Sequence, residues 1–282
     1  MDWSLLDPKG PVGARELHIL VTAFWLMMIV AVPTIVLTLW FAWRYRASSQ
    51  TARFAPDWDR SHPIAIVCLA VPVIIVAILG TIAWKGSHEL DPYRPLQVEA
   101  AGKPVRPIEV QVIALDWKWL FVYPELGVAS VNELALPVGV PVHFSITASS
   151  VMNAFFIPRL GGMIYAMPRM QTQLSLLASE KGTYDGISSN YSGGGFSDMK
   201  FAARAMSAAA FDEWVASARG SEERLDGSAL YGLLAPGIER TPKRYSSVEG
   251  DPFRRVLTAG LQPRSQTTRL ATGDPVCITL GN

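Results

Sequence analysis

Two stretches near the N-terminus, residues 19–43 and 64–84, carry no charged side chain and are built mainly from Leu, Ile, Val, Ala, Phe and Met. Each is as long as the run of about 20 apolar residues that crosses a hydrocarbon core of about 30 Å. Pro33 and Pro72 interrupt them. Proline breaks a helix in water, but a membrane helix accepts it where neighbours satisfy the freed carbonyls. The other reading, two buried helices of a large soluble protein, fits poorly with runs so long and so free of charge. The chain is therefore expected to hold a membrane hairpin.

The connection between the spans holds Arg44, Arg46, Arg53 and Arg60 against Asp57 and Asp59. The segment before the first span balances Lys9 and Arg15 with Asp2, Asp7 and Glu16. Positively charged loops stay in the cytoplasm, so the connection is expected inside and both termini outside. Trp40, Trp43 and Trp84 lie at span ends, as interfacial aromatics do. No basic n-region precedes a short apolar stretch with a cleavage site, so residues 1–16 are not read as a signal peptide. Either the hairpin drives insertion or a leader has been lost. The net charge of +1 argues against nucleic acid as a partner. Cys68 lies in the second span and Cys277 near the C-terminus, which makes a disulfide between them implausible.

Residues 85–107, rich in proline, read as a linker. Strand signals follow at 108–115, 116–123, 131–136, 141–147, 155–157, 171–177, 182–187 and 199–206. In the second of these, alternation puts Trp117, Trp119, Phe121 and Tyr123 on one face. Short strands between Gly and Pro turns predict a sandwich or barrel. Residues 208–219 have helical spacing, with Phe211, Trp214 and Val215 on one side. His143 shares a strand face with Ser145 and Thr147 and reads as solvated. His18, His62 and His88 flank the spans, and no Cys occurs between residues 69 and 276. The domain thus lacks the soft ligands of a copper electron-transfer site.

The stretch Gly186-Ile187-Ser188-Ser189-Asn190-Tyr191-Ser192-Gly193-Gly194-Gly195-Phe196-Ser197-Asp198-Met199 has the frame of a copper-binding loop with almost none of its ligands. Two helices followed by such a β-domain resemble subunit II of the haem-copper terminal oxidases. In its cytochrome c-oxidising members a copper pair is held by an early His and a later Cys, Glu carbonyl, Cys, His and Met. The resemblance places Asn153 at the first His, Ser188 and Ser192 at the thiolates, Asn190 at the Glu and Phe196 at the second His. Only Met199 is retained. Serine hydroxyl is a hard, protonated ligand and Phe is none, so no metal site is expected. The Gly193–195 run lacks the Lys and helix start of a phosphate loop and reads as a tight turn.

Asp116-Trp117-Lys118-Trp119, Val151-Met152-Asn153-Ala154-Phe155-Phe156-Ile157-Pro158-Arg159, Met170-Gln171-Thr172, Gly182-Thr183-Tyr184-Asp185-Gly186 and Leu5-Leu6-Asp7-Pro8-Lys9-Gly10 look like the cytochrome bo-type ubiquinol oxidase branch. Phe211-Asp212-Glu213-Trp214-Val215 fits it too. The resemblance covers about residues 4–240, and none is evident beyond about 245.

It implies a cupredoxin-like domain that has lost its copper, carried by two transmembrane helices and followed by a helical extension. The organisation expected is an outer segment 1–16, spans 17–43 and 64–84, and a cytoplasmic loop 44–63. A linker 85–107, a periplasmic cupredoxin-like domain 108–207, an extension 208–245 and a tail 246–282 of unassigned order complete it. It further implies subunit II of a proton-translocating quinol:oxygen oxidoreductase in a bacterial inner membrane. This chain would carry no cofactor and no catalytic residue. Haems and copper are expected in the partner subunit I, with subunits III and IV alongside and ubiquinol as the donor. Arg159, Trp117 and Trp119 are candidates for inter-subunit contact, against core packing for the two tryptophans.

Two departures stand out. Met1, Asp2 and Trp3 occupy the place where relatives carry an acylated Cys, which puts a lipid anchor in doubt. Ala65 stands where relatives carry a Glu implicated in proton entry, and no proton-entry residue is assigned, although Asp59 and His62 lie nearby. The rival readings are a cytochrome c oxidase subunit II and an orphan membrane-anchored interaction module.

Overall fold

The computed structural model describes residues 6–46, 61–96, 98–100 and 103–258. Most of the cytoplasmic loop expectation (Arg53, Asp57, Asp59, Arg60), Met1 to Trp3 and Cys277 lie outside the described residues.

Helix α1 spans Pro11–Arg44 and α2 spans His62–Glu89. Both begin with proline in the first turn, where its missing N–H costs nothing. Thr22, Thr34 and Thr38 turn their hydroxyls onto carbonyls four residues back, so these polar groups are satisfied inside the helix. At 1.5 Å per residue α1 is about 51 Å long, more than a hydrocarbon core requires. The apolar windows of both helices are unburied, and residues such as Leu39 and Leu69 are two-thirds exposed or more. Such a surface is tenable in lipid and not in water. The helices are those of a membrane hairpin rather than of a soluble core.

The extra turns at the start of α1 dock on the β-domain. Gly13, the buried residue of α1, donates its N–H to the Leu160 carbonyl (3.0 Å). Lys9 N–H donates to Arg159 O (2.6 Å), and Ser179 N–H to Lys9 O (2.7 Å). Gly10 is required here, because a Cβ would collide with the Leu177 carbonyl oxygen. Side chains close the junction. Lys9 pairs with Glu180 (2.8 Å) and Asp7 (3.1 Å), Arg159 with Asp7 (3.3 Å), and Glu16 accepts from Gly162 N–H (3.0 Å). Glu180, then Asp7, hold the Lys9 ammonium above its ordinary value.

After a two-stranded ladder of β1 (Glu99–Ala100) and β2 (Lys103–Pro104), two sheets form the domain. The first contains β3 (Ile108–Leu115), β4 (Lys118–Tyr123), β5 (Val128–Val131), β7 (Val142–Ala148), β10 (Thr172–Leu176) and β13 (Lys243–Tyr245). Its order is β10-β7-β3-β4-β5-β13, with β3 and β7 parallel. The second contains β6 (Glu133–Pro137), β8 (Asn153–Phe156), β9 (Met163–Ala166), β11 (Gly182–Ser188) and β12 (Lys200–Met206), in the order β6-β12-β11-β8-β9. Between the sheets lies an aromatic core. Phe155 and Phe201 stack at 5.2 Å, and Trp119 meets both edge-on at 5.4 and 5.6 Å. This is a cupredoxin-like two-sheet architecture with a helical C-terminal extension.

Several local expectations are corrected. The run 131–136 is two strands, because Asn132 takes a left-handed conformation (φ 56) and turns the chain from one sheet to the other. Strand β9 carries no clear alternation and was not expected; it forms by pairing with β8. Trp117 is not in a strand but in the two-residue turn between β3 and β4, at φ 65. His143 is half-buried rather than solvated, with Nδ1 3.1 Å from Ser175 Oγ.

Strand β4 is buried on both faces. One face enters the aromatic core. The other is covered by the extension: α3 (Ala208–Arg219) packs beside the sheets, and α4 (Gly227–Leu234), β13 and α5 (Pro252–Thr258) follow. Leu225, Leu230, Leu233, Tyr245, Phe253 and Val256 close over Leu120, Val122 and Val131 as a second core. Helix α5 thus gives residues 252–258 an ordered place that no period in the sequence marks.

Candidate functional site

The six positions at which the resemblance places copper ligands converge at one end of the sandwich. Asn153 opens β8, Ser188 ends β11, and residues 189–199 cross between them before β12. A single 3-10 turn, Phe196–Asp198, brings Met199 back under the loop. Asn153, Ser188 and Met199 are buried at 1%, 5% and 1% exposure, so any ligand there would have to come from these side chains.

The polar atoms here are engaged with one another and with nearby backbone. Ser188 Oγ lies 3.1 Å from Asn153 Oδ1 and 3.3 Å from the Asn190 carbonyl, and it accepts from Ala154 N–H at 3.4 Å. Asn153 Nδ2 donates to Val151 O (3.1 Å), and Asn190 Nδ2 to Met152 O (3.0 Å). Ser192 Oγ lies 3.9 Å from the Met199 sulfur. Phe196 meets Tyr191 edge-on at 5.6 Å. Amide and hydroxyl groups are hard and neutral, whereas copper is held by imidazole and thiolate. Among the described residues no group of three or more His, Cys, Asp and Glu is assembled. The donor set does not fit a copper pair.

Trp117 explains the glycine run. Its left-handed backbone swings the indole beneath the loop, where Nε1 donates to Ser192 O (3.1 Å). Gly195 lies so close to the ring that a Cβ would penetrate it, and Gly193, at φ 111, would bring one to 3.3 Å. A bulky residue at positive φ is uncommon and marks a conformation held by its surroundings. Trp119, by contrast, is fully buried and offers no surface to another subunit, which corrects its candidacy as a contact. Arg159 is partly exposed and its partner within the chain is Asp7.

The sequence pattern did not reveal the ring of exposed apolar residues beside this loop: Val151, Met152, Met163, Tyr165, Met170 and Tyr191. Scattered in sequence, they belong to or flank β8, β9 and the loop, and β8 and β9 form the edge of the sheet beside β11. Ser189 Oγ, 2.9 Å from the Met163 sulfur, ties the loop to β9. Nor did it reveal Lys118, whose buried ammonium donates to the Ala235 (2.9 Å) and Gly237 (3.4 Å) carbonyls. Burial lowers its pKa.

Two membrane-length helices joined to a two-sheet domain, with a copper-type loop frame at its end, define a membrane-anchored subunit of the oxidase subunit II type. A family model described as cytochrome c oxidase subunit II, periplasmic domain, matches residues 125–206. The cytochrome bo(3) ubiquinol oxidase subunit 2 of Pseudomonas aeruginosa is 49% identical over 257 residues, covering 91% of this chain and 76% of that protein. The ubiquinol oxidase subunit 2 of Acetobacter aceti is 50% identical over 253 residues, covering 90% and 81%. That of Pseudomonas putida is 45% identical over 256 residues, covering 91% and 80%. The chain belongs to the ubiquinol oxidase subunit 2 family.

Proposed function

We propose that this chain is subunit II of a membrane-bound respiratory oxidase that passes electrons from ubiquinol to O2, forming ubiquinone and water and translocating protons. The observation that carries the reading is the loop. The resemblance places Asn153, Ser188, Asn190, Ser192 and Phe196 at the copper-ligand positions; Ser188 is bonded to Asn153, Asn190 to the Met152 carbonyl, and Ser192 lies against the Met199 sulfur. A quinol dissolved in the bilayer delivers electrons within it and needs no outer copper relay. The chain then serves as a non-catalytic anchor and cap, and the haems and copper belong to subunit I.

In this reading the hairpin packs on subunit I in the bacterial inner membrane, with subunits III and IV completing the complex. The β-domain lies on the periplasmic side, and the connection 44–63 lies in the cytoplasm. The apolar ring of Met152, Met163, Tyr165 and Tyr191 suits burial against subunit I. Arg159, partly exposed beside Asp7, and the Trp117-backed loop are further candidates for contact with subunit I.

The test uses the tagged complex solubilised gently from native membranes. Oxygen consumption is expected with ubiquinol and not with reduced cytochrome c. Activity on reduced cytochrome c, or copper remaining on this chain after separation from its partners and dialysis, would overturn the reading.

A further inference from the structure

Where the hairpin meets the β-domain, two cavities lie one above the other. The upper one, of about 450 Å³, is walled by both ends of the hairpin and by Gly162, Met163, Leu174 and Ser175 of the domain. Its charged lining is Arg15, Glu16, Glu89, Asp91 and Arg94. The lower one, of about 460 Å³, is a crevice between α1 and α2 lined by Ile19, Leu20, Ala23 and Ala83, with Glu16, Gly86, Ser87 and Leu90 at its mouth. Glu16 and Leu90 line both, so the two adjoin. Gly86 leaves room for the Ile19 side chain here, since a Cβ would come within 2.8 Å of Ile19 Cδ1.

We infer that this double cavity binds one zwitterionic phospholipid with a primary ammonium headgroup. Depth is the first argument. The apolar run of α1 begins at Ile19, one turn below Glu16, and that of α2 ends at Trp84, just below Gly86. The charged cavity therefore sits at headgroup level and the crevice at acyl level, the same polarity step a phospholipid carries. A soluble anion would leave the crevice empty, and an all-apolar ligand would strand the charges above it.

Charge complementarity is the second argument. The upper cavity presents both signs. Among the described residues the ion pair of Arg15 is a long contact with Glu89 (3.9 Å), and Arg94 forms none. Arginine suits a phosphate. Glu16 gives one oxygen to Gly162 N–H and Asp91 one to Tyr93 N–H, so each carboxylate keeps acceptor capacity for an ammonium that donates three hydrogen bonds. An anionic headgroup satisfies only the arginines, and a quaternary ammonium donates nothing to the carboxylates. The inference rests on the membrane-spanning hairpin and not on the identity of the electron donor.

The test counts lipid on the assembled complex after extensive detergent washing, by phosphorus assay and mass spectrometry of each lipid class. Ala83→Phe fills the crevice from its exposed side, and Val76→Phe places the same ring on a lipid-facing surface away from it. Arg94→Glu reverses the headgroup charge at an exposed site. The unaltered complex and Val76→Phe are expected to keep one more ethanolamine phospholipid than Ala83→Phe, and Arg94→Glu to release it about tenfold faster. Equal lipid on the unaltered complex and Ala83→Phe would overturn the inference. So would retention of a phosphatidylglycerol or a quinone in place of the ethanolamine lipid. Because assembly is scored separately by haem content, failure of the oxidase reading and failure of this one are distinguishable.

Discussion

Replacing Arg244 by Met isolates what fastens the C-terminal extension to the sandwich. Glu133, at the start of β6, has a side chain only 1% exposed. It accepts two bonds from Arg244 on β13 (Nε 2.7 Å, Nη2 3.0 Å) and lies 3.2 Å from Arg204 on β12. Arg244 also donates to Ser217 (3.0 Å) and lies 5.5 Å over the Trp214 ring, so one guanidinium joins β6, β13 and α3. Burial alone would raise the Glu133 pKa, but the Arg244 hydrogen bonds and charge, aided by Arg204, hold it below its ordinary value.

Breaking one side of a buried pair costs about 3–5 kcal/mol, because it strands a charge. Arg204 remains and Arg244 is 29% exposed, so the low end applies, about 3 kcal/mol. For a domain of this size that is a fall in Tm of about 6–12 °C. The assay is thermal unfolding of the detergent-solubilised chain followed by near-ultraviolet circular dichroism. Because the cost is the stranded carboxylate, Glu133→Met combined with Arg244→Met should unfold at a higher temperature than Arg244→Met alone. Lowered in the folded state, the Glu133 pKa contributes stability that is complete well above 4.5 and lost as pH falls through the folded value. The double variant should therefore lose less stability on acidification. A Tm for Arg244→Met within about 2 °C of the unaltered chain, or a double variant no better than the single one, would refute this account.

Gly195→Val drives a side chain into the Trp117 indole, and a loss of about 2 kcal/mol is expected, with altered tryptophan fluorescence. Trp117→Ala should relieve part of it. Gly10→Val should detach the start of α1 from the Leu177 carbonyl, read as faster limited proteolysis between hairpin and domain and a lower yield of complex. Met199→Leu keeps the volume of a buried side chain, so it should cost less than about 1.5 kcal/mol and leave ubiquinol-dependent oxygen consumption unchanged. A large fall in activity with stability intact would instead give the methionine sulfur a chemical role.

Much of this molecule is written locally. Uncharged runs of membrane length identify α1 and α2 because lipid selects on composition over a fixed distance. The period-2 pattern of β3, β7 and β12 and the helical spacing of Phe211, Trp214 and Val215 identify elements that bury one face. The loop from Ser188 to Met199 stands out in the sequence because ligand chemistry depends on residue type and short spacing. What escaped the sequence depends on contacts distant in the chain. Alternation places Trp117 with its strand neighbours, but pairing of β3 with β4 turns it out at φ 65 and sets it under Gly195. Strand β4 reads as half-buried, and only closure of α4, β13 and α5 over Leu120 and Val122 buries its second face. The apolar ring around Tyr191, the Glu133–Arg244 pair and the cavity between hairpin and domain all join segments far apart in sequence. Periodicity and composition are properties of neighbours along the chain, and they determine the elements. Which faces meet is set by the packing of whole elements, and that only the tertiary structure decides.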